Sequence, residues 1–169
     1  MKLYNYGEKK PEIHPNTWIA DDVVVYGDVK IEEETVIFPG SVVRGDIAPV
    51  IIGKRNVIQD GVLINPAAGN KTKIGENCLI GFGSIVHGVI IGNNCIIGAR
   101  SLLMPGVKIK ENSMIGACAF VARGVVGPGK VWIGIPAKEK RDIADRDLKM
   151  WDLGKETFRE IAQKYKNSK

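Results

Sequence analysis

Aliphatic residues recur every sixth position along most of this chain. From Ile13 the steps land on Ile19, Val25, Ile31, Ile37 and Val43; the series resumes at Ile52, Ile58 and Ile64, and again at Ile74, Ile80 and Val86. One short step then leads to Ile91, Ile97, Leu103, Ile109, Ile115 and Val121. Of these 18 slots 17 are Ile or Val, a spacing foreign to a helix, whose apolar period is about 3.6. Gly follows the slot directly at positions 53, 75, 81, 92, 98 and 116. Each unit of six therefore reads as a short strand and a corner, with one aliphatic pointing into the axis of a triangular prism and small residues where the chain bends. Three units close one coil, so the slots predict six coils stacked as parallel strands about 4.8 Å apart. β-Branched side chains suit such strands. The predicted fold class is an all-β solenoid, a parallel β-helix over about residues 11–135.

Two interruptions, residues 46–50 and 65–73, are expected to leave the prism as loops. Insertions in a solenoid commonly build its binding face. After Val121 the pattern fades through Gly124, Gly127, Pro128 and Gly129, and residues 131–136 are expected to form a last partial coil, making six to seven in all. Trp151, Phe158 and Tyr165 then recur at seven-residue spacing with Ile161 between the last two. That spacing predicts an amphipathic C-terminal α-helix over 142–167 packed on the prism, with Gly154 expected to interrupt it. A single domain spanning 1–169 accounts for all of this.

Composition adds three constraints. The 20 Gly are explained by the corners, and the net charge of +5 comes without a long basic run, which argues against a nucleic-acid partner. Residues 1–10 have no apolar stretch of signal-peptide length and no run of 18 apolar residues follows, so the expectation is a cytoplasmic protein with no membrane partner. Cys78, Cys95 and Cys118 show no C-x-x-C spacing and read as small, reduced packing residues.

The slot arithmetic also places the polar residues. Arg44, Asn65, His87 and Met104 each follow the third slot of successive coils, so they stack in one column on one edge. Asp60 and Phe82 follow second slots by two residues and stack likewise, with Gln59 just before Asp60. His14, the other histidine, lies about three coils from His87.

At these residues the chain resembles the γ-class carbonic anhydrase-like family, which includes proteins named ferripyochelin-binding. The resemblance rests on V-V-R-G-D at 42–46, I-G-K-R-N-V-I-Q-D at 52–60, I-V-H-G at 85–88 and G-I-P-A-K at 134–138, and it spans nearly the whole chain. It implies a left-handed coil, a homotrimer, and a metal site between subunits in which three histidines bind zinc or iron. Carried over position by position, those ligands fall at 65, 82 and 87. Here only His87 is a histidine; Asn65 and Phe82 stand at the other two. A catalytic zinc normally takes three protein ligands, so no metal cofactor is expected unless the altered site still binds zinc or iron. The resemblance further implies that Gln59 orients a metal-bound water and that Arg44 and Asp60 form an intersubunit ion pair, while Asp46 braces the first loop through backbone amides.

Three functions fit this constellation. One is a trimer with a degenerate intersubunit site, not an efficient carbonic anhydrase, that binds a small anion or small-molecule ligand at the interface. Another is an acyltransferase using acyl-CoA with His87 as general base, since a segment like G-I-P-A-K occurs near CoA in such enzymes. The last is an active carbonic anhydrase with unusual ligands, in which Gln59 and His87 are the catalytic residues.

Overall fold

The computed structural model describes residues 1–168. The slot residues form three columns of parallel strands. The first runs Ile13, Ile31, Ile52, Ile74, Ile91, Ile109 and Val126. The second runs Ile19, Ile37, Ile58, Ile80, Ile97, Ile115 and Trp132. The third runs Leu3, Val25, Val43, Ile64, Val86, Leu103 and Val121. The result is a left-handed β-helix of about seven turns followed by a single C-terminal helix. Every slot from Val25 to Val121 is at most 2% exposed, so the core is one continuous apolar rod down the prism axis.

One corner demands a left-handed backbone and takes residues larger than glycine. Glu34, Arg55, Asn77, Asn94 and Asn112 repeat one corner on successive coils, all with φ between 54° and 57°. Glycines after the slots answer a different demand, close stacking of neighbouring coils. A Cβ at Gly98 would lie 2.4 Å from the Ala117 amide nitrogen.

The last coil forms where it was expected: the step from Val121 to Val126 is five residues, and its second slot is Trp132, so the six-step series passes over it. Other expectations need correction. Residues 46–50 do not leave as a loop. They lie within the single strand Val42–Ile52, where 46–49 bulge opposite Asp28 between the pairs Gly27↔Gly45 and Val29↔Val50. The second interruption does leave the prism, as a tight turn closed by the Ala67–Asn70 bridge. The last strand of the prism, Lys130–Gly134, also pairs with Ala137–Asp142 as an antiparallel hairpin. The helix spans Asp145–Asn167 and runs through Gly154 without a break. Cys78 and Cys95 are buried, but Cys118 is exposed, at a corner with φ 58°.

The helix lies on the second face. Phe158, Ile161 and Ala162 pack against Val36, Phe38 and Val57, and Tyr165 stacks on Trp18 with ring centroids 5.7 Å apart. Lys155, 2% exposed, donates to the Asn77 carbonyl at 3.0 Å. Arg159 donates to Asn77 Oδ1 at 2.6 Å and to the Arg55 carbonyl at 3.0 Å. The left-handed corners thus present the polar groups to which the helix is fastened. At its start, Asp147 accepts two bonds from Arg141, at 2.5 and 3.0 Å, and one from the Ala144 amide at 2.9 Å. These donors, Arg141 first, hold the Asp147 carboxyl down to about 2.

Candidate functional site

The slot residue points inward, so the next residue along the strand points outward. Repeated on successive coils of the third face, this places Tyr26, Arg44, Asn65 and His87 in one outward ladder. Tyr26 pairs with Arg44, Val43 with Ile64, and Asn65 with His87. The ladder starts one coil earlier than Arg44, and Tyr26 stacks on Tyr4 with centroids 4.7 Å apart. Both tyrosines were missed in the sequence, although Tyr26 follows a third slot by the same arithmetic as Arg44.

Arg44 Nε lies 3.2 Å from Asp46 Oδ2, while Asp46 Oδ1 accepts the Ile47 amide at 2.8 Å. Asp46 therefore accepts from the amide that follows it in the bulge and also holds the arginine. The Arg44–Asp60 pair does not form within one chain.

Asn65 and His87 are the centre of the ladder. Asn65 is 8% exposed. Its carbonyl accepts the Gly88 amide at 2.9 Å and the Thr72 hydroxyl at 2.8 Å, and Thr72 Oγ1 accepts the same Gly88 amide at 3.0 Å. The Asn65 carbonyl and the Gly88 amide are therefore satisfied. The side chains are not: Asn65 Oδ1 and His87 Nδ1 are both buried without a hydrogen-bond partner, a costly state for polar atoms. Thr72 carries no chemical motif, and only its place opposite the Asn65 carbonyl makes it part of the site.

Gln59, Asp60 and Phe82 occupy a different corner, after the second face. Gln59 is 8% exposed, and its Oε1 accepts the Phe82 amide at 3.1 Å. That bond fixes the carboxamide and leaves its NH2 free to meet an acceptor. Asp60 is exposed and Phe82 is 51% exposed. The structure therefore places the predicted residues as two clusters on two corners, Arg44–Asn65–His87 and Gln59–Asp60–Phe82. His14 belongs to neither; its Nδ1 accepts the Asn16 amide at 3.1 Å in the first coil.

The donor set does not fit a three-histidine metal centre. Position 82 offers an aromatic ring with no donor atom, and position 65 a carboxamide whose oxygen is turned inward. Among the described residues no three His, Cys, Asp or Glu side chains gather as a metal group would require. Also among these residues, no helix is long and apolar enough to cross a membrane.

Comparison with known proteins agrees with this architecture. The family described as bacterial transferase hexapeptide (six repeats) matches residues 10–45, 71–103 and 88–123. The carnitine operon protein CaiE of Proteus sp. is 32% identical over 162 residues, covering 95% of this chain and 82% of that protein. A carbonic anhydrase of Geobacillus kaustophilus is 34% identical over 165 residues, covering 97% and 91%. A crystal structure from Bacillus cereus, titled as a candidate acetyltransferase, superposes with a TM-score of 0.96 at 33% identity, covering 99% of this chain and 98% of that one. With its coils and these relatives in hand, the chain belongs to the hexapeptide-repeat family as a γ-carbonic anhydrase-like member.

Proposed function

We propose that this protein is a cytoplasmic homotrimer whose intersubunit site has lost its metal set and binds a small anion. Joining the corner of one subunit to the complementary corner of the next completes the site, with Arg44, Asn65 and His87 from one and Gln59, Asp60 and Phe82 from the other. The observation that carries this reading is the pairing at its centre: one imidazole, His87, stands in register with a carboxamide, Asn65, where two imidazoles are needed. What remains is rich in donors. The Arg44 guanidinium and the Gln59 NH2 favour an acceptor-rich ligand such as a carboxylate. Three measurements test it together: elemental analysis of the untagged protein, CO2 hydration, and titration with bicarbonate and acetate followed by NMR. The expected result is no stoichiometric zinc or iron, negligible hydration, and saturable anion binding that is lost in Arg44→Gln. About one metal per subunit, removed by His87→Ala, would overturn it.

A second reading, acyl transfer from acyl-CoA with His87 as general base, is favoured by the Bacillus cereus neighbour, whose title names an acetyltransferase. Slow acetyl-CoA turnover abolished by His87→Ala would select it over anion binding alone.

A further inference from the structure

The two unsatisfied atoms of the ladder are complementary. Asn65 Oδ1 is an obligate acceptor, and His87 Nδ1 is a ring nitrogen that carries a proton in one of the two neutral tautomers. Among the described residues only four buried side-chain polar atoms lack a partner. The other two, Trp132 Nε1 and Arg159 Nε, belong to the last coil and the helix. Nearby alternatives are already used. The Thr72 hydroxyl donates to the Asn65 carbonyl and accepts from Gly88, and the Gly88 amide is bonded. Asn65 and His87 are register partners, on backbones about 4.8 Å apart. An Nδ1–H to Oδ1 bond between these neighbouring side chains would satisfy both atoms at once.

The orientation of the amide follows from the count of donors. With the oxygen inward, one acceptor meets one donor and the NH2 group keeps its outward position. With the NH2 inward, two donors are buried against a single nitrogen lone pair, and one N–H has nothing to bond. The cost of an unmade buried bond favours the first arrangement.

We propose that Asn65 is a positioning residue that fixes neutral His87 as the Nδ1–H tautomer and leaves Nε2 as a bare, outward-facing proton acceptor. A hydrogen bond to one ring nitrogen sets the proton on the other, as the carboxylate does in the Ser–His–Asp arrangement. The substitution at position 65 thus replaces a would-be metal ligand with a group that orients the remaining imidazole. Such a ring takes a proton from the O–H or N–H of a ligand. Neutral His87 then has no proton with which to hold an anion, so in the anion-binding reading the ring contributes only once protonated. In the acyl-transfer reading it is ready as the base for a hydroxyl or amine. The inference rests on the reading of this edge as the site, but not on which ligand it takes.

The test needs no ligand. Imidazole nitrogen-15 shifts distinguish a protonated from an unprotonated ring nitrogen, and can be read on the full-length protein well above the ordinary histidine range of about 6.5. His14 is assigned separately with His14→Gln. The expected spectrum shows His87 with Nδ1 protonated and Nε2 bare. Asn65→Ala should move most of the population to the Nε2–H form, the one favoured by free histidine, while Asn65→Asp should keep Nδ1 protonated. An Nε2–H ring in the unaltered protein would overturn the inference, as would an Asn65→Ala spectrum unchanged from it. Should Asn65→Ala not fold, the unaltered protein and Asn65→Asp still decide it. Because the readout is taken without ligand, failure of anion binding would leave the tautomer standing, and a wrong tautomer would leave anion binding standing.

Discussion

Arg44 Nε sits 3.2 Å from Asp46 Oδ2 in the same strand, and the arginine side chain remains 44% exposed. Among the described residues this is the sole ion pair of Arg44, so its guanidinium has unused donors facing outward. A neighbouring subunit's Asp60 would take them. In a trimer the arginine becomes buried, and truncating one member of a buried charged network costs about 3–5 kcal/mol. Arg44→Ala is therefore expected to weaken the trimer far more than His87→Ala. Sedimentation equilibrium gives the oligomer, with three times 18.4 kDa expected for the unaltered protein. Equal melting shifts in the two variants would argue against the pairing.

Two glycines make a contrasting pair. A Cβ at Gly98 would press to 2.4 Å on the Ala117 amide nitrogen, whereas one at Gly154 meets nothing within 4 Å. Gly154 lies inside a continuous helix, so Gly154→Ala should stabilise the protein by about 0.5–1 kcal/mol through helix propensity. Gly98→Ala must push two coils apart, and overpacking costs about 1–3 kcal/mol. Thermal melts of the two variants should shift in opposite directions. A destabilised Gly154→Ala would show that the helix needs the glycine for a reason other than space.

Asp147 ties the helix start to the terminal hairpin. Its carboxyl is held down to about 2 from an ordinary 3.8, chiefly by the Arg141 bonds and next by the Ala144 amide. A depressed folded-state value means that the contribution is fully present above about 3.8 and is lost as pH falls through about 2. Asp147→Asn should therefore melt lower than the unaltered protein at neutral pH, and the gap should close below about 2. A gap that stays constant across this range would show that the charge on Asp147 contributes nothing.

The prism was legible in the sequence because a column of identical slots repeats one physical demand 18 times. The same regularity hid its exceptions. The step to Val126 is one residue short, and Trp132 fills a slot otherwise held by aliphatics, so the last coil showed only as a partial one over 131–136. Residues 46–50 looked like a loop because they broke the count, yet their backbone stays in the strand and only bulges. Gly154 looked like a helix breaker because propensity is local, whereas Asp147 and Trp151 before it and Lys155, Phe158 and Arg159 after it anchor the helix on both sides of that weakness. The ladder Arg44–Asn65–His87 followed from slot arithmetic alone. The unsatisfied pair within it did not, because register places the side chains together but says nothing of which atoms their neighbours have already used.

The strongest test of the altered site is to restore it. Asn65 and His87 are register partners on adjacent coils, and their backbones stand about 4.8 Å apart. That separation lets two imidazoles reach one ion, with zinc–nitrogen bonds of about 2.0–2.1 Å. Phe82, 51% exposed on the other corner, would supply the third ligand from the adjoining subunit once replaced. A histidine is smaller than the ring it replaces, so the change opens space rather than filling it. Gln59 is already fixed beside it through the Phe82 amide, and that bond uses backbone, so it survives the substitution. The double variant Asn65→His with Phe82→His is therefore expected to bind zinc tightly as a trimer and to gain at least weak CO2 hydration. Each single variant should bind far less well, because two ligands leave the ion short of the three it normally requires. Elemental analysis and stopped-flow hydration assays read both outcomes. A folded, trimeric double variant that takes up no zinc would mean that the two corners do not meet across the interface, and the assignment of the site to them would fall.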